Sequence, residues 1–250
     1  MNEDEAIKFL ASHELPENEL SIAYEKRNKE RFTKYGWDFV SDAIAISIFE
    51  SVVRPSINDF TFVKKGTFVK QISEDIFHVL TFKQGRYGPV FGWGVSLSFV
   101  PHQWDEDGCK FHRTLKSARC DLWEHQRNLI KETPETKLFP YNHIDASHGS
   151  VCLFEDLMRT WENLQSPVRN WLAPIATIND VLRQAKLMAD NHNNYGGHTP
   201  KLKYAFTLAK MGRFEEGSAV LEELMKSCSQ FFSSPELPKA LRKIAKFNLP

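Results

Sequence analysis

The densest set of side chains that could do chemistry lies between residues 102 and 152. Imidazole and thiolate groups are preferred zinc ligands, and a structural zinc site needs four ligands at about 2.0–2.3 Å. The potential ligands are His102, Cys109, His112, Cys120, His125, His143, Asp145, His148 and Cys152. Cys109 and His112 have C-x-x-H spacing, but the other spacings match no zinc finger or knuckle. The segment therefore supports an alternative function, a metal-dependent hydrolase or nuclease-like enzyme.

The same segment offers a cysteine nucleophile with a histidine base. A reactive thiolate needs an electropositive, partly exposed setting, and Arg119 beside Cys120 is a weak sign of one. A lone cysteine in an amphipathic stretch is more often a small buried hydrophobe. The sequence contains no nucleophile elbow, phosphate-binding loop, dinucleotide fingerprint or H-E-x-x-H helix. We therefore assign no catalytic residue, no cofactor and no metal ligand.

Two predicted loops combine aromatic and charged side chains, as protein interfaces do. Both loops are expected at ends of the predicted strands. The candidate partner-binding residues are Arg86 and Tyr87 in one loop, and Trp104, Asp105, Glu106 and Asp107 in the other. In the alternative interpretation, the Trp104 side chain folds back onto its own domain and the acidic turn is only solvated.

Residues 90–99 predict the strand around which these elements are arranged. Large apolar side chains alternate with small ones, which is the period-two pattern of a strand. The large set is Phe91, Trp93, Val95, Leu97 and Phe99, and the small set is Gly92, Gly94, Ser96 and Ser98. Burial of each large side chain is worth roughly 1.5 to 3 kcal/mol. We expect a helix of the same chain to cover the small side, with a ligand groove as the alternative.

The segments around this strand predict an α+β fold, with an antiparallel meander of about four strands packed by helices. The links between the predicted strands are too short for the crossovers that parallel pairing needs. The other predicted strands are 67–71, 76–83 and 115–123, and 60–63 is a short apolar segment at the start of the sheet region. Helices are predicted within 3–35 and at 41–53, 125–132, 151–164 and 179–192. Ser41 is the predicted N-cap of the helix at 41–53, and Thr177 is the predicted N-cap of the helix at 179–192.

The C-terminal part predicts a helical hairpin, formed by 200–211 and 214–226, with a last helix at 235–247. Small residues along the hairpin permit close crossing, and the pattern resembles one unit of the tetratricopeptide repeat. The irregular stretch 191–198 separates this hairpin from the rest. We therefore predict an α+β domain at 1–195 and a C-terminal helical, tetratricopeptide-like appendage at 196–250.

The charge balance argues against a nucleic-acid or membrane partner. The 250 residues include 32 basic and 32 acidic side chains, so the chain has no net field to attract polyanions. No stretch is apolar and long enough to span a bilayer, and the acidic N-terminus is unlike a secretory signal. Four cysteines without a C-x-x-C pair fit a reducing compartment. These features predict a cytoplasmic protein.

Three segments carry a resemblance to a bacterial family. They are 60–70 (FTFVKKGTFVK), 79–85 (VLTFKQG) and 171–182 (WLAPIATINDVL). The chain resembles the DUF4304 family over about residues 40–190. Because that family has no assigned function, the resemblance implies an α+β fold in a bacterial or phage-related setting and carries over no active site.

The preferred interpretation is a non-catalytic, cytoplasmic protein-binding protein. It rests on the missing catalytic motifs, the repeat-like hairpin and the family resemblance. A role in bacterial toxin immunity or defence is the finer form of this prediction. The sequence leaves the oligomeric state open.

Overall fold

The structure is a computed structural model, and it describes residues 26, 29–85, 88–105, 107–125, 144, 146–191 and 199–246. The chain divides into two compact units. The first unit comprises residues 1–68, 80–92 and 124–168, and the second comprises 69–79, 93–123 and 169–250. The predicted boundary near residue 195 stays a prediction, because residues 192–198 lie outside the described ranges.

An antiparallel sheet of five strands forms in the order β1-β2-β3-β4-β7. Its strands are β1 (Thr61–Lys64), β2 (Thr67–Gln71), β3 (Ile76–Gly85), β4 (Gly88–Leu97) and β7 (Leu122–His125). The hairpin of β5 (Pro101–Asp105) and β6 (Gly108–Phe111) makes a separate sheet with two strands. The predicted meander is confirmed, because β1 to β4 follow one another in sequence and in space.

Helices precede and follow the strands, so the predicted α+β class is confirmed. They are α1 (Asp42–Val53), α2 (Gly149–Leu172), α3 (Ile178–Asn191), α4 (Pro200–Lys210), α5 (Phe214–Ser227), α6 (Ser229–Phe232) and α7 (Glu236–Lys246). Residues 29–35 are also helical. The predicted cap of α3 is confirmed, since Thr177 Oγ1 accepts from the Asp180 N–H at 3.3 Å and the Asp180 carboxylate accepts from the Thr177 N–H at 2.9 Å.

Two local predictions were wrong. Residues 115–123 do not form one strand, because Leu115–Ser117 closes a 3-10 turn that Thr114 caps, and β7 begins only at Leu122. Ser41 precedes α1 in an extended conformation, but its side chain makes no capping hydrogen bond. The predicted helix at 125–132 lies outside the described residues after His125.

The core of the first unit is a cluster of aromatic rings. Phe49 of α1 stacks on Phe82 with centroids 4.8 Å apart and meets Phe68 and Phe91 edge to face. Phe91 also stacks on Trp161 of α2, at 5.7 Å. The predicted large side of strand β4 is buried, and in this unit Phe91 joins the strand to α1 and α2.

In the second unit, the small residues of β4 allow the backbone of a neighbouring segment to approach closely. Asp121 donates its N–H to the Val95 carbonyl at 2.8 Å, so the chain before β7 runs alongside β4. A Cβ placed on Gly94 would lie 2.2 Å from the Leu122 carbonyl oxygen and 2.9 Å from the Trp123 Cα. The atoms nearest to Gly94 therefore belong to this chain segment, and the expectation that a helix covers the small side of β4 stays a prediction.

The C-terminal hairpin of α4 and α5 crosses closely at a glycine. A Cβ on Gly217 would lie 2.6 Å from the Ala205 carbonyl oxygen and 3.3 Å from the Ala209 nitrogen. Gly212, at φ +79°, makes the turn between the helices. The predicted hairpin and its close crossing are confirmed, whereas its relation to tetratricopeptide repeats stays a prediction.

Candidate functional site

The first unit carries exposed large apolar side chains that the sequence did not single out. Trp37 is 70% exposed and Phe39 is 68% exposed, although side chains of this size are normally mostly buried. We name this set the aromatic surface, and its members are Phe32, Trp37, Phe39, Ile44, Val151 and Phe154. They come from the helical segment 29–35, the extended segment 37–40, the first turn of α1 and the first two turns of α2.

Backbone hydrogen bonds fix the extended segment that carries Trp37 and Phe39. The Asp38 N–H donates to the Ser147 carbonyl at 3.0 Å, and the Val40 N–H donates to the Ala146 carbonyl at 2.8 Å. Gly149 adopts φ +84° at the start of α2 and donates its N–H to the Asp38 carbonyl at 2.6 Å. Because the segment is extended, Trp37 and Phe39 lie on the same side of it.

A charge cluster fixes the helical segment 29–35 against α2. The Arg31 guanidinium donates two hydrogen bonds, each 2.9 Å long, to the two carboxylate oxygens of Asp156. Arg159 adds a third donor at 2.8 Å. The Asp156 side chain is 5% exposed, so these bonds form away from solvent and are stronger than surface pairs. The helical segment that carries Phe32 is thereby fixed against α2.

A second contact joins these segments nearer the solvent. Lys34 donates to the Glu155 carboxylate at 3.1 Å, and the Tyr35 hydroxyl donates to the same group. The Tyr35 hydrogen bond, followed by that of Lys34, lowers the pKa of Glu155. Glu155 is therefore ionised at neutral pH and is already engaged by two donors.

Two exposed carboxylates lie beside the aromatic residues of this surface in the sequence. The Asp38 and Asp42 side chains are exposed, and neither forms an ion pair with any residue that the structure describes. The Trp37 indole has an edge contact with the His148 imidazole at 5.1 Å and is otherwise open to solvent. This arrangement combines rigid aromatic anchors with carboxylates, which suits a partner with an apolar pocket and a basic edge.

The predicted partner-binding loops have different outcomes. Trp104 stacks on Phe232 at 5.4 Å, and the Ser234 hydroxyl donates to the Asp105 carbonyl at 3.4 Å. The Trp104 side chain is therefore folded back on its own unit, as the alternative interpretation had it. Asp107 donates its N–H to the Asp105 carboxylate at 3.1 Å and closes the turn. The remaining candidates, Arg86, Tyr87 and Glu106, lie outside the described residues.

The candidate ligands of segment 102–152 do not form a cluster among the residues that the structure describes. No group of three or more His, Cys, Asp or Glu side chains suited to a metal ion occurs there. His102 and His112 stack face to face with ring centroids 3.5 Å apart. His143 and Asp145 lie outside the described residues.

The environment of Cys109 does not favour thiolate chemistry. Burial, reinforced by Glu236 and Asp105, raises the pKa of the Cys109 thiol to about 11. A nucleophilic cysteine needs the opposite shift, because the thiolate is the reactive form. Cys109 is therefore a neutral thiol at physiological pH.

The burial of His102 is expected to make the stability of the fold depend on pH in the acid range. Burial, followed by the charges of Arg119 and Lys110, lowers the pKa of His102 below its usual value. Because the unfolded chain binds this proton more readily than the native state, the contribution of neutral His102 to stability is complete above about pH 6.5 and is lost as the pH falls below it. Urea denaturation at several pH values should show a smaller acid loss for His102→Gln than for wild type. Equal losses would contradict this assignment.

The comparisons with known proteins add no relative. No protein-family model, curated protein or solved structure matches the chain. The resemblance to DUF4304 proteins therefore stays a prediction. In the described part of the chain, no helix has the length and apolar character needed to cross a bilayer.

Residues 36–40 contain a sequence pattern that indicates part of the aromatic surface, and the sequence analysis did not identify it. In Gly36-Trp37-Asp38-Phe39-Val40, large aromatic residues alternate with other residues just after a helical segment. This is the period of an extended strand with one aromatic side. The pattern does not tell which side faces solvent, because that depends on the pairing with residues 146–149.

Proposed function

We propose that this protein is a non-catalytic, cytoplasmic protein-binding protein that docks through its aromatic surface. The supporting observation is the exposure of Trp37 and Phe39 on a segment fixed by backbone hydrogen bonds. Tryptophan is enriched among the residues that dominate binding energy, and a fixed backbone reduces the entropy lost on association. Large exposed apolar groups in one area are also characteristic of interaction sites.

The proposed occupant is a different protein that presents an apolar pocket bordered by Lys or Arg. The exposed carboxylates of Asp38 and Asp42 support this choice, because they complement a basic edge. A second copy of this chain, paired across a two-fold axis, would place the same carboxylates on both sides of one interface. An anionic bilayer would repel them as well.

Quantitative capture from the native host tests the proposal. The tagged full chain, the Trp37→Ser/Phe39→Ser variant and the matched control Leu187→Ser would be compared by mass spectrometry. Leu187 is 55% exposed and lies on α3 in the other unit, so it controls for the loss of exposed apolar area. We expect a specific protein whose enrichment falls at least about tenfold in the double variant, equivalent to about 1.4 kcal/mol, and not in the control.

Purified components then decide between occupants. The captured protein should bind wild type directly, bind the double variant more weakly, and lose affinity with added salt because of Asp38 and Asp42. Light scattering that shows a dimer dependent on Trp37, or vesicle binding dependent on it, would overturn the proposed occupant. Capture that is equal in wild type and double variant would overturn the proposed function.

A toxin-immunity or defence role is the finer form of this proposal. Its support is the DUF4304-like segments and the helical hairpin, and neither identifies a partner. If the captured protein is a toxin whose activity falls on binding, this finer proposal is correct. If it has no toxic activity, the immunity role is wrong while the protein-binding function stands.

A further inference from the structure

A cleft of about 520 Å³ opens within the second unit. It lies between the turn that joins β2 and β3, the end of β4, strand β6 with the residues after it, and helix α7. Its volume is within the range of small-molecule sites, about 300 to 1,000 Å³. None of the aromatic-surface residues belongs to it.

One part of the cleft wall is apolar. Phe99 is 2% exposed and follows β4, and Phe111 ends β6. Ala240 and Ile244 lie one turn apart on α7 and face the same cleft. The neutral Cys109 thiol adds a polarisable group to this wall. These groups suit an aromatic or aliphatic body and would make no covalent bond to it.

Two of the carboxylates that line the cleft already have cationic partners. Lys210 pairs with Asp75 at 2.8 Å, and the Ser98 hydroxyl also donates to Asp75. On α7, Lys239 pairs with Glu236 at 2.7 Å. These four charges therefore cancel in pairs within the cleft lining.

The remaining charges give the cleft an excess of positive charge. Arg113 and Lys243 line it, both are exposed, and neither has an ion-pair partner in the described ranges. The Arg113 guanidinium lies over the Phe111 ring at 5.0 Å, so a cation borders the apolar wall directly. Glu74 is the one lining carboxylate without a pair among described residues, and it opposes two cations.

We propose that this cleft binds a small organic anion, in which a carboxylate or phosphate is attached to an aromatic or aliphatic body. Arg113 and Lys243 bind the anionic group, and Phe99, Phe111 and Ile244 contact the body. Arginine binds either anion through paired N–H donors, and lysine adds a mobile charge. The site is independent of the aromatic surface, so each proposal can fail without the other.

Fluorescence titration with anilinonaphthalene sulfonate tests the site, because this probe combines an aromatic body with one anionic group. The full chain would carry Trp37→Ser/Phe39→Ser, which removes probe binding at the aromatic surface. We expect saturable binding that Arg113→Gln/Lys243→Gln weakens at least about tenfold. The matched control is Lys246→Gln, an exposed lysine on α7 that does not line the cleft. Circular dichroism would verify that each variant is folded.

Competition against the bound fluorescent probe shows whether the cleft prefers a carboxylate or a phosphate. Phenylbutyrate or phenyl phosphate should displace the probe, and the stronger competitor identifies carboxylate or phosphate as the preferred group. Phenylbutanol, which has the same body without charge, should not displace it. Equal displacement by the alcohol, equal weakening in the Lys246→Gln control, or unchanged affinity in the Arg113→Gln/Lys243→Gln variant would overturn the proposal.

Discussion

Replacement of Gly94 by alanine is expected to destabilise the fold by about 4 kcal/mol, well above the usual cost of a surface substitution. The added Cβ would lie 2.2 Å from the Leu122 carbonyl oxygen and 2.9 Å from the Trp123 Cα. Both contacts are with backbone, so no side-chain rotation relieves them. Strand β7 would have to move away from β4, and the Asp121 N–H bond to Val95 would lengthen or break. Urea denaturation followed by circular dichroism measures the loss.

Gly92 provides the matched control on the same strand. A Cβ at Gly92 would lie 3.2 Å from the Thr81 Cγ2 and 3.7 Å from the Glu124 carbonyl oxygen. A small displacement of a methyl group accommodates it, so Gly92→Ala should cost about 1 kcal/mol. If the two substitutions have equal effects, the close approach at Gly94 is not what requires glycine.

The alternation along β4 explains why the sheet was predictable from sequence. Large apolar groups at every second position predict one buried side whatever the rest of the chain does. The small residues indicate a close approach, but they do not name the approaching element. A helix and a strand backbone both fit next to glycine, and only the pairing with residues 119–122 decides between them. That pairing depends on the chain after the β5–β6 hairpin, whose sequence pattern is weak.

The candidate sites were less predictable, because both depend on contacts between distant residues. Trp37 and Trp104 are each followed by an aspartate, yet Trp37 is 70% exposed and Trp104 stacks on Phe232. The difference arises from the position of α6, more than a hundred residues beyond either tryptophan. The cleft likewise brings Arg113 and Lys243 together across 130 positions, a proximity that no local motif encodes.

Two buried groups of opposite charge, Asp121 and Lys203, interact in the second unit. Asp121 is 4% exposed and Lys203 is 1% exposed. Asp121 accepts a hydrogen bond of 2.8 Å from the Leu97 N–H. Burial nevertheless raises the pKa of Asp121 to about 6, against the charge of Lys203 and this hydrogen bond. Burial also lowers the pKa of Lys203, with Asp121 opposing the shift.

The pH dependence follows from the raised pKa of Asp121. The native state holds this proton more tightly than the unfolded chain, whose carboxyl titrates near pH 3.8. The contribution of protonated Asp121 to stability is therefore present below about pH 4 and is lost as the pH rises through about 6. At neutral pH the Asp121 carboxylate is largely ionised. The positive charge of Lys203 then offsets part of the cost of burying this carboxylate in the native state.

Lys203→Met should therefore cost about 3 kcal/mol at about pH 8 and distinctly less at about pH 5, where Asp121 is protonated. Asp121→Asn leaves a buried ammonium and should also destabilise at neutral pH. The double variant removes both charges and keeps an acceptor for the Leu97 N–H, so its stability should return to within about 1 kcal/mol of wild type. Urea denaturation of the four proteins at both pH values measures this coupling. If the two single losses simply add in the double variant, Asp121 and Lys203 do not act as a pair.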